Sequence, residues 1–170
     1  MSISTTGRKK NTDRTGPHLT ARQVWDAVAR QSFAVISHAT PAGAPRSSGV
    51  MYAVSDGRMY VVVAADSWKA RHIAADGLVS VTVPIRRGGL LSLVAPIPPA
   101  TVSFPAVATV RPGAALADVP TLARLIPPER RTGCVVLEIR PTGHYVTYGV
   151  GVPLRQMRDT TRSRARVAVG

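Results

Sequence analysis

Ser67, Lys69 and Arg46 are the residues whose types and spacing best fit a piece of binding chemistry. Ser67 stands where a helix can begin, in Asp66-Ser67-Trp68-Lys69-Ala70-Arg71-His72-Ile73, and Gly77 stands where it can end. A helix N-terminus presents unpaired N–H groups and a partial positive charge, which together form a ready anion site. The Ser67 hydroxyl at the cap, the Lys69 ammonium in the first turn and Arg71 two residues on would add to it. Arg46, at the start of a strand, can approach from a neighbouring part of the sheet. One phosphate held by Ser67, Lys69 and Arg46 makes physical sense, because charge-assisted hydrogen bonds are the stronger kind. An ordinary capped helix with solvated basic side chains uses the same residues, and the residues alone leave both readings open.

No acid–base set accompanies this cluster. His38, His72 and His144 are scattered, without a His-x-x-x-His pair and with few acids nearby. Each reads as a strand-end or surface residue, with His72 the first to examine because it follows Arg71 on the same helix. Cys134 is the only cysteine, in Cys-Val-Val-Leu-Glu-Ile, so no internal disulfide can form and the thiol reads as buried packing. Asp56 in a turn, Asp76 near a helix end and Glu138 in mid-strand all have structural reasons to be where they are. Tyr145 and Tyr148 read as packing residues near the last strand. No catalytic residue and no metal ligand is expected. That suits hydride transfer, in which a cofactor does the hard chemistry, and it suits a protein without catalysis equally well.

The elements that would position these residues follow from pattern. Thr20 and Gln23 spell a capping box, with Leu19 and Val24 at staple positions and Val24, Trp25, Val28 and Ala29 on one side of a helix ending near Gln31. Strands are expected over Phe33–Ser37, Arg46–Val54, Met59–Ala64, Leu78–Pro84, Leu90–Val94, Thr101–Val110, Gly133–Arg140 and His144–Tyr148. The second and third meet at the hairpin signal Asp56-Gly57. A further helix is expected over Asp118–Ile126, with Pro120 in its first turn. The fold class is mainly β: a closed or nearly closed antiparallel barrel with short flanking helices.

The 170 residues fit one domain. With 45% hydrophobic residues but only 5% aromatic ones, the core must be built from Val, Ala, Leu and Ile. The formal charge is +13, and about half of the excess lies in two basic ends, 1–18 and 155–170. Both are read as tails flanking a domain over 19–154, the first of them disordered. Such tails can bind nucleic acid, but few aromatics lie among the basic residues, which argues against stacking on single strands. The uncharged stretch Gly88–Val110 contains Pro96, Pro98, Pro99 and Pro105, which would break a membrane-spanning helix repeatedly. The N-terminus lacks an apolar signal core, so a soluble, cytoplasmic protein is expected.

Over Phe33–Pro84 the order of features resembles the pyridoxamine 5′-phosphate oxidase-like family of flavin- and deazaflavin-binding split β-barrels. An apolar strand leads to Ala42-Gly43-Ala44-Pro45-Arg46, then a strand, an Asp-Gly hairpin and a third strand. Ser67-Trp68-Lys69-Ala70-Arg71-His72-Ile73 follows, and then Asp76-Gly77-Leu78-Val79-Ser80-Val81-Thr82-Val83. The resemblance implies a homodimer with the cofactor site at its interface and a small-molecule substrate. It implies Arg46, Ser67 and Lys69 at a phosphate, with Val50, Met51, Tyr52, Val63 and Ala64 along a planar ring. Val63 stands where flavin binders often carry a hydroxyl. Trp68 stands where they often carry a second base, and could stack on the ring or cover the pocket. The implied cofactor is FMN or the deazaflavin F-420, whose acidic tail suits a basic groove. The implied function is a small oxidoreductase; the alternative is a non-catalytic barrel that binds or stores a phosphorylated or acidic metabolite.

Overall fold

The computed structural model describes residues 17–87 and 99–170. Capping decides where the first helix starts. The Thr20 hydroxyl accepts from the Gln23 N–H at 3.2 Å, and the Gln23 side chain accepts from the Thr20 N–H at 2.9 Å. Helix α1 then runs Ala21–Ala29 and buries Val24, Ala27 and Val28.

β1 (Phe33–Ala39) pairs antiparallel with β2 (Pro45–Met51). The single strand expected over Arg46–Val54 is in fact two. Past Tyr52 the chain leaves β1, and β3 (Ala53–Ser55) pairs with β4 (Arg58–Ala64). Tyr52 makes the corner: its N–H goes to the Ser32 carbonyl at 3.0 Å, and its buried hydroxyl donates to the Val28 carbonyl at 2.6 Å. The β3–β4 turn takes Asp56 and Gly57 at φ 49° and 70°, the left-handed pair that the Asp-Gly signal provides. There follow α2 (Trp68–Asp76), β5 (Leu78–Ile85), β6 (Ala100–Pro112), a 3-10 turn over Gly113–Asp118, and α3 (Pro120–Leu125). The chain continues through α4 (Pro128–Arg131), β7 (Cys134–Pro141), β8 (His144–Tyr148) and β9 (Arg164–Ala168).

The strand order is β2-β1-β5-β6-β7-β4-β3. Because β2 and β3 are one bent ribbon, this order returns on itself and the sheet closes into a barrel. β6 is the forked strand. One of its edges pairs with β5 over Ala100–Val107; the other carries β8 at Thr101–Ser103 and β7 from Ala106 to Pro112. The fold is therefore a mainly β split barrel. Its core holds Ile36, Met59, Val61, Val81, Val83, Leu137 and Ile139, with Phe104 and Tyr145 packed edge to face at 5.4 Å. Each such large side chain stabilises the fold by roughly 1.5–3 kcal/mol through burial. A smaller cluster of Leu116, Val119 and Leu122 packs α3 and its approach against Val136 and Ala53.

Two expectations about the ends and loops are affected. Residues 155–170 are not simply a tail: Arg164–Ala168 form β9 against β8, because Ala165 and Val167 alternate with Arg164 and Arg166 and offer one apolar edge. The strand expected over Leu90–Val94 lies outside the described residues, as does the N-terminal segment up to residue 16. Among the described residues no helix is long and apolar enough to cross a membrane.

Candidate functional site

Helix α2 is built as its sequence reads. The Ser67 hydroxyl accepts from the Ala70 N–H at 3.2 Å, and Gly77 ends the helix at φ 75°. A side chain at Gly77 would also meet the Ala108 carbonyl oxygen at 3.2 Å, which adds to the reason for glycine there. Ala70 and Ile73 turn inward. Trp68 is left 41% exposed, and Lys69 and His72 are half-buried. The Arg71 guanidinium folds back onto the Asp66 carbonyl and is spent on its own helix start.

Beside the first turn of α2 lies a cavity of about 470 Å³. Its walls are Val50 and Met51 of β2, Val62 and Val63 of β4, and Leu122 and Ile126 of α3 and its end; Gly49 and Lys69 complete it. The lining is apolar apart from the Lys69 ammonium. Burial holds Lys69 below the usual lysine range, so its charge is poorly solvated and gains from an anionic partner.

Of the residues singled out in the sequence, the cavity brings together Val50, Met51, Val63 and Lys69. Ser67 and Trp68 sit two and one residues before Lys69 at the helix start. Ala64 is exposed at the end of β4, opposite Cys134. Arg46 is exposed and lies across from His38 in the β1–β2 register, outside the cavity lining. Tyr52 is a correction: it is 2% exposed, with its hydroxyl on Val28, so its side chain belongs to the barrel corner and not to a ligand surface. Burial also raises the Tyr52 phenol well above the usual tyrosine range, so it stays a donor.

Sequence reasoning did not place Leu122, Ile126, Gly49 or Val62 at the site, although Leu122 and Ile126 are an i, i+4 apolar pair. It also left the histidines apart. His38 and His72 come together, with ring centroids 5.5 Å apart, and Trp68 stacks on His38 at 5.4 Å. Lys69 Nζ lies 5.9 Å from the Trp68 ring. His38 is 7% exposed, and neither of its ring nitrogens has a hydrogen-bond partner. Strand periodicity could have found it, since Ala34, Ile36 and His38 alternate on the inner face of β1. His38 is held below the ordinary histidine value by burial first, then by His72 and Lys69. His144 stands apart, exposed on β8. Cys134 begins β7, buried, with its thiol donating to the Arg131 carbonyl at 3.1 Å. Glu138, in mid-strand, bridges Arg58 and Arg111 at 2.6 and 2.8 Å.

No family model matches the chain, and no curated protein matches it. Solved structures do. An F420 reductase aligns with TM-score 0.55 at 16% identity, over 74% of this chain and 95% of its own. A haem-binding protein from Mycobacterium smegmatis aligns with TM-score 0.61 at 20% identity, over 79% of this chain and 56% of its own. A putative pyridoxamine 5′-phosphate oxidase from Listeria innocua aligns with TM-score 0.54 at 11% identity, over 71% and 92%. The chain thus has the split-barrel fold of the pyridoxamine 5′-phosphate oxidase-like proteins, the fold that its sequence resembles.

Proposed function

We propose that this chain binds a flavin or deazaflavin, FMN or F-420, in the cavity between β2, β4 and α3, and works as a small oxidoreductase. One observation carries the reading: an otherwise apolar cavity opens beside the capped start of α2, with the half-buried Lys69 as its charged group. Volume and lining suit a planar heterocycle, since ligand pockets run to roughly 300–1,000 Å³ with apolar walls and a few placed polar groups. Val50, Met51, Val63, Leu122 and Ile126 would pack the ring and exclude water. Lys69 and the free N–H groups at the start of α2 would hold the phosphate, and Ser67 fixes that helix end. Arg46 would add charge from the rim. A bound flavin or deazaflavin supplies the hydride or electron chemistry. The structural relatives named as an F420 reductase and a pyridoxamine 5′-phosphate oxidase support this class of cofactor.

The reading includes a homodimer. One outer face of β2, β1, β5, β6 and β8 carries Phe33, Met51, Leu78 and Val146, exposed by 45%, 54%, 61% and 48%. Four of its hydroxyls already pair, Ser37 with Ser47 at 2.7 Å and Thr82 with Ser103 at 3.0 Å, which lowers the cost of covering them. Gly49 and Met51 belong both to this face and to the cavity, so a second copy seated there would close the site.

A second reading is a non-catalytic barrel that holds a phosphorylated or acidic metabolite. It is favoured by Val63 and Trp68: an aliphatic chain stands where a hydroxyl would orient a flavin, and an indole stands where a second base would meet a phosphate. Titration with FMN and with F-420, followed by absorbance and fluorescence, separates the two. The first reading expects one coenzyme to bind, Lys69→Ala to weaken it about tenfold, which is ~1.4 kcal/mol, and a dimeric mass by sedimentation. A protein silent to both coenzymes would leave only the second.

A further inference from the structure

The described residues contain few buried side-chain polar atoms without a partner, and most of them cluster. His38 Nδ1 and Nε2, Ser48 Oγ and His72 Nδ1 are four such atoms from three residues. In antiparallel register Ile36 faces Ser48 and His38 faces Arg46, so Ser48, His38 and Arg46 share the inner side of the β1–β2 pair. His38 meets α2 from that side, with Trp68 stacked on it and His72 tilted against it. Leaving such atoms dry and unpaired opposes folding, and a native structure that concentrates them in one place points to a partner that fills it.

The charges around His38 define that partner. On α2 these are Lys69 and His72; on β2 it is Arg46; β5, the other neighbour of β1, carries no titratable residue. The acids of the helix region, Asp66 and Asp76, are exposed at its two ends. Donors and cations without a facing carboxylate fit an oxyanion and repel a metal ion. We infer that His38 and His72, with Ser48, form a proton-coupled oxyanion subsite beside the start of α2, which takes up a proton on His38 as the anion enters. This rests on the reading that the same helix start receives an acidic head group, and it names three residues that the reading lacks.

The sign follows from linkage. In the free protein His38 stays neutral at neutral pH, because burial, His72 and Lys69 all disfavour its imidazolium. An entering oxyanion supplies the opposite charge and raises its pKa. By reciprocity, protonation then raises affinity for the anion. Affinity climbs as pH falls through the pKa of the bound state, and levels off below that of the free state. The empty protein behaves oppositely. Its depressed His38 makes the unfolded chain the better proton acceptor, so stability is lost as pH falls below 6.5, the ordinary histidine value.

Inorganic sulfate is the probe, because its charge does not change across this range. Calorimetric titration of the full chain at constant ionic strength, at about pH 5.5 and about pH 7.5, spans the histidine range. Sulfate should bind about tenfold more tightly at the lower pH, which corresponds to a shift of about one unit on His38. His38→Gln keeps a hydrogen-bonding side chain that cannot titrate, and should bring that ratio to about one; His72→Gln should lower it. In the unmutated protein, imidazole NMR should show the His38 midpoint rising when sulfate is added, which needs no variant to fold. A midpoint that sulfate leaves unmoved, a pH ratio unchanged in His38→Gln, or binding of zinc in place of sulfate would each overturn the inference. Coenzyme titration near pH 8, where His38 is neutral with or without ligand, separates the two ideas. Coenzyme binding without the sulfate coupling sinks this subsite alone. The coupling without coenzyme binding sinks the cofactor reading alone.

Discussion

Helices α1 and α2 each have nine residues and each starts on a hydroxyl cap, yet they do different work. α1 has the full reciprocal capping box. It sinks Val24 and Val28 completely, and it packs Trp25 against Phe104 and Tyr145 at 6.2 and 6.3 Å. Its Val28 carbonyl receives the Tyr52 hydroxyl, which pins the corner where the barrel closes. α2 has a single side-chain cap bond and buries only Ala70 and Ile73. It leaves a tryptophan exposed, an ammonium half-desolvated and an imidazole nitrogen unpaired. A helix whose polar groups are all satisfied is fastening the fold. A helix that keeps unsatisfied groups beside a cavity is holding them for something else, and such a departure from self-consistency marks function more often than error.

If that contrast is right, damage under α1 should cost stability and spare binding. Phe104→Ala removes the ring on which Trp25 and Tyr145 converge, and should cost about 3–5 kcal/mol. Denaturant unfolding reads the loss, and coenzyme or sulfate affinity of the folded protein should stay unchanged. A large loss of affinity would mean that the two helices are not separate in function. Tyr52→Phe is the next largest effect. It removes the hydroxyl's bond to the buried Val28 carbonyl, which keeps the Gln31 N–H at 3.0 Å, and should cost about 0.5–1.5 kcal/mol at the closure of β2 into β3. The sequence resemblance put Tyr52 at a ring-binding surface; the structure puts it at the corner. Affinity that survives Tyr52→Phe would support the corner, whereas affinity lost without loss of stability would return Tyr52 to the site.

The elements whose signals are local were legible in the residues. The Thr20/Gln23 box, the Asp56-Gly57 hairpin, and the Ser67 start and Gly77 stop of α2 each satisfy their own backbone within a few positions, so nothing distant can override them. What stayed hidden depends on partners far along the chain. The break at Tyr52 exists because Val28 and Ser32 take its hydrogen bonds. β9 exists because β8 offers it an edge, and its arginines masked the alternation of Ala165 and Val167. The site divided in the same way. Ser67 and Lys69 were visible from helix position alone, and Val50, Met51 and Val63 only through what the family resemblance implies. Leu122 and Ile126 reach the cavity only through tertiary packing of α3. His38 becomes informative only when α2 brings Trp68 and His72 onto it, since a lone histidine at a strand end has no meaning by itself.

The most discriminating change is also the smallest, because it can be made identically in both helices. Thr20→Ala and Ser67→Ala each delete one capping oxygen, and each should cost about 1 kcal/mol of stability. On stability alone the two variants should be hard to tell apart. They should differ in binding. Thr20 lies exposed at the start of α1, and its loss leaves any ligand untouched. Ser67 fixes the helix end whose free N–H groups lie beside Lys69. Without its cap that turn frays, and the partial charge there is no longer held toward the cavity. Affinity for a coenzyme or for sulfate should therefore fall several-fold in Ser67→Ala and not at all in Thr20→Ala. Equal affinities in the two variants, at equal stability, would mean that α2 is an ordinary fastening helix like α1 and that the anion sits elsewhere.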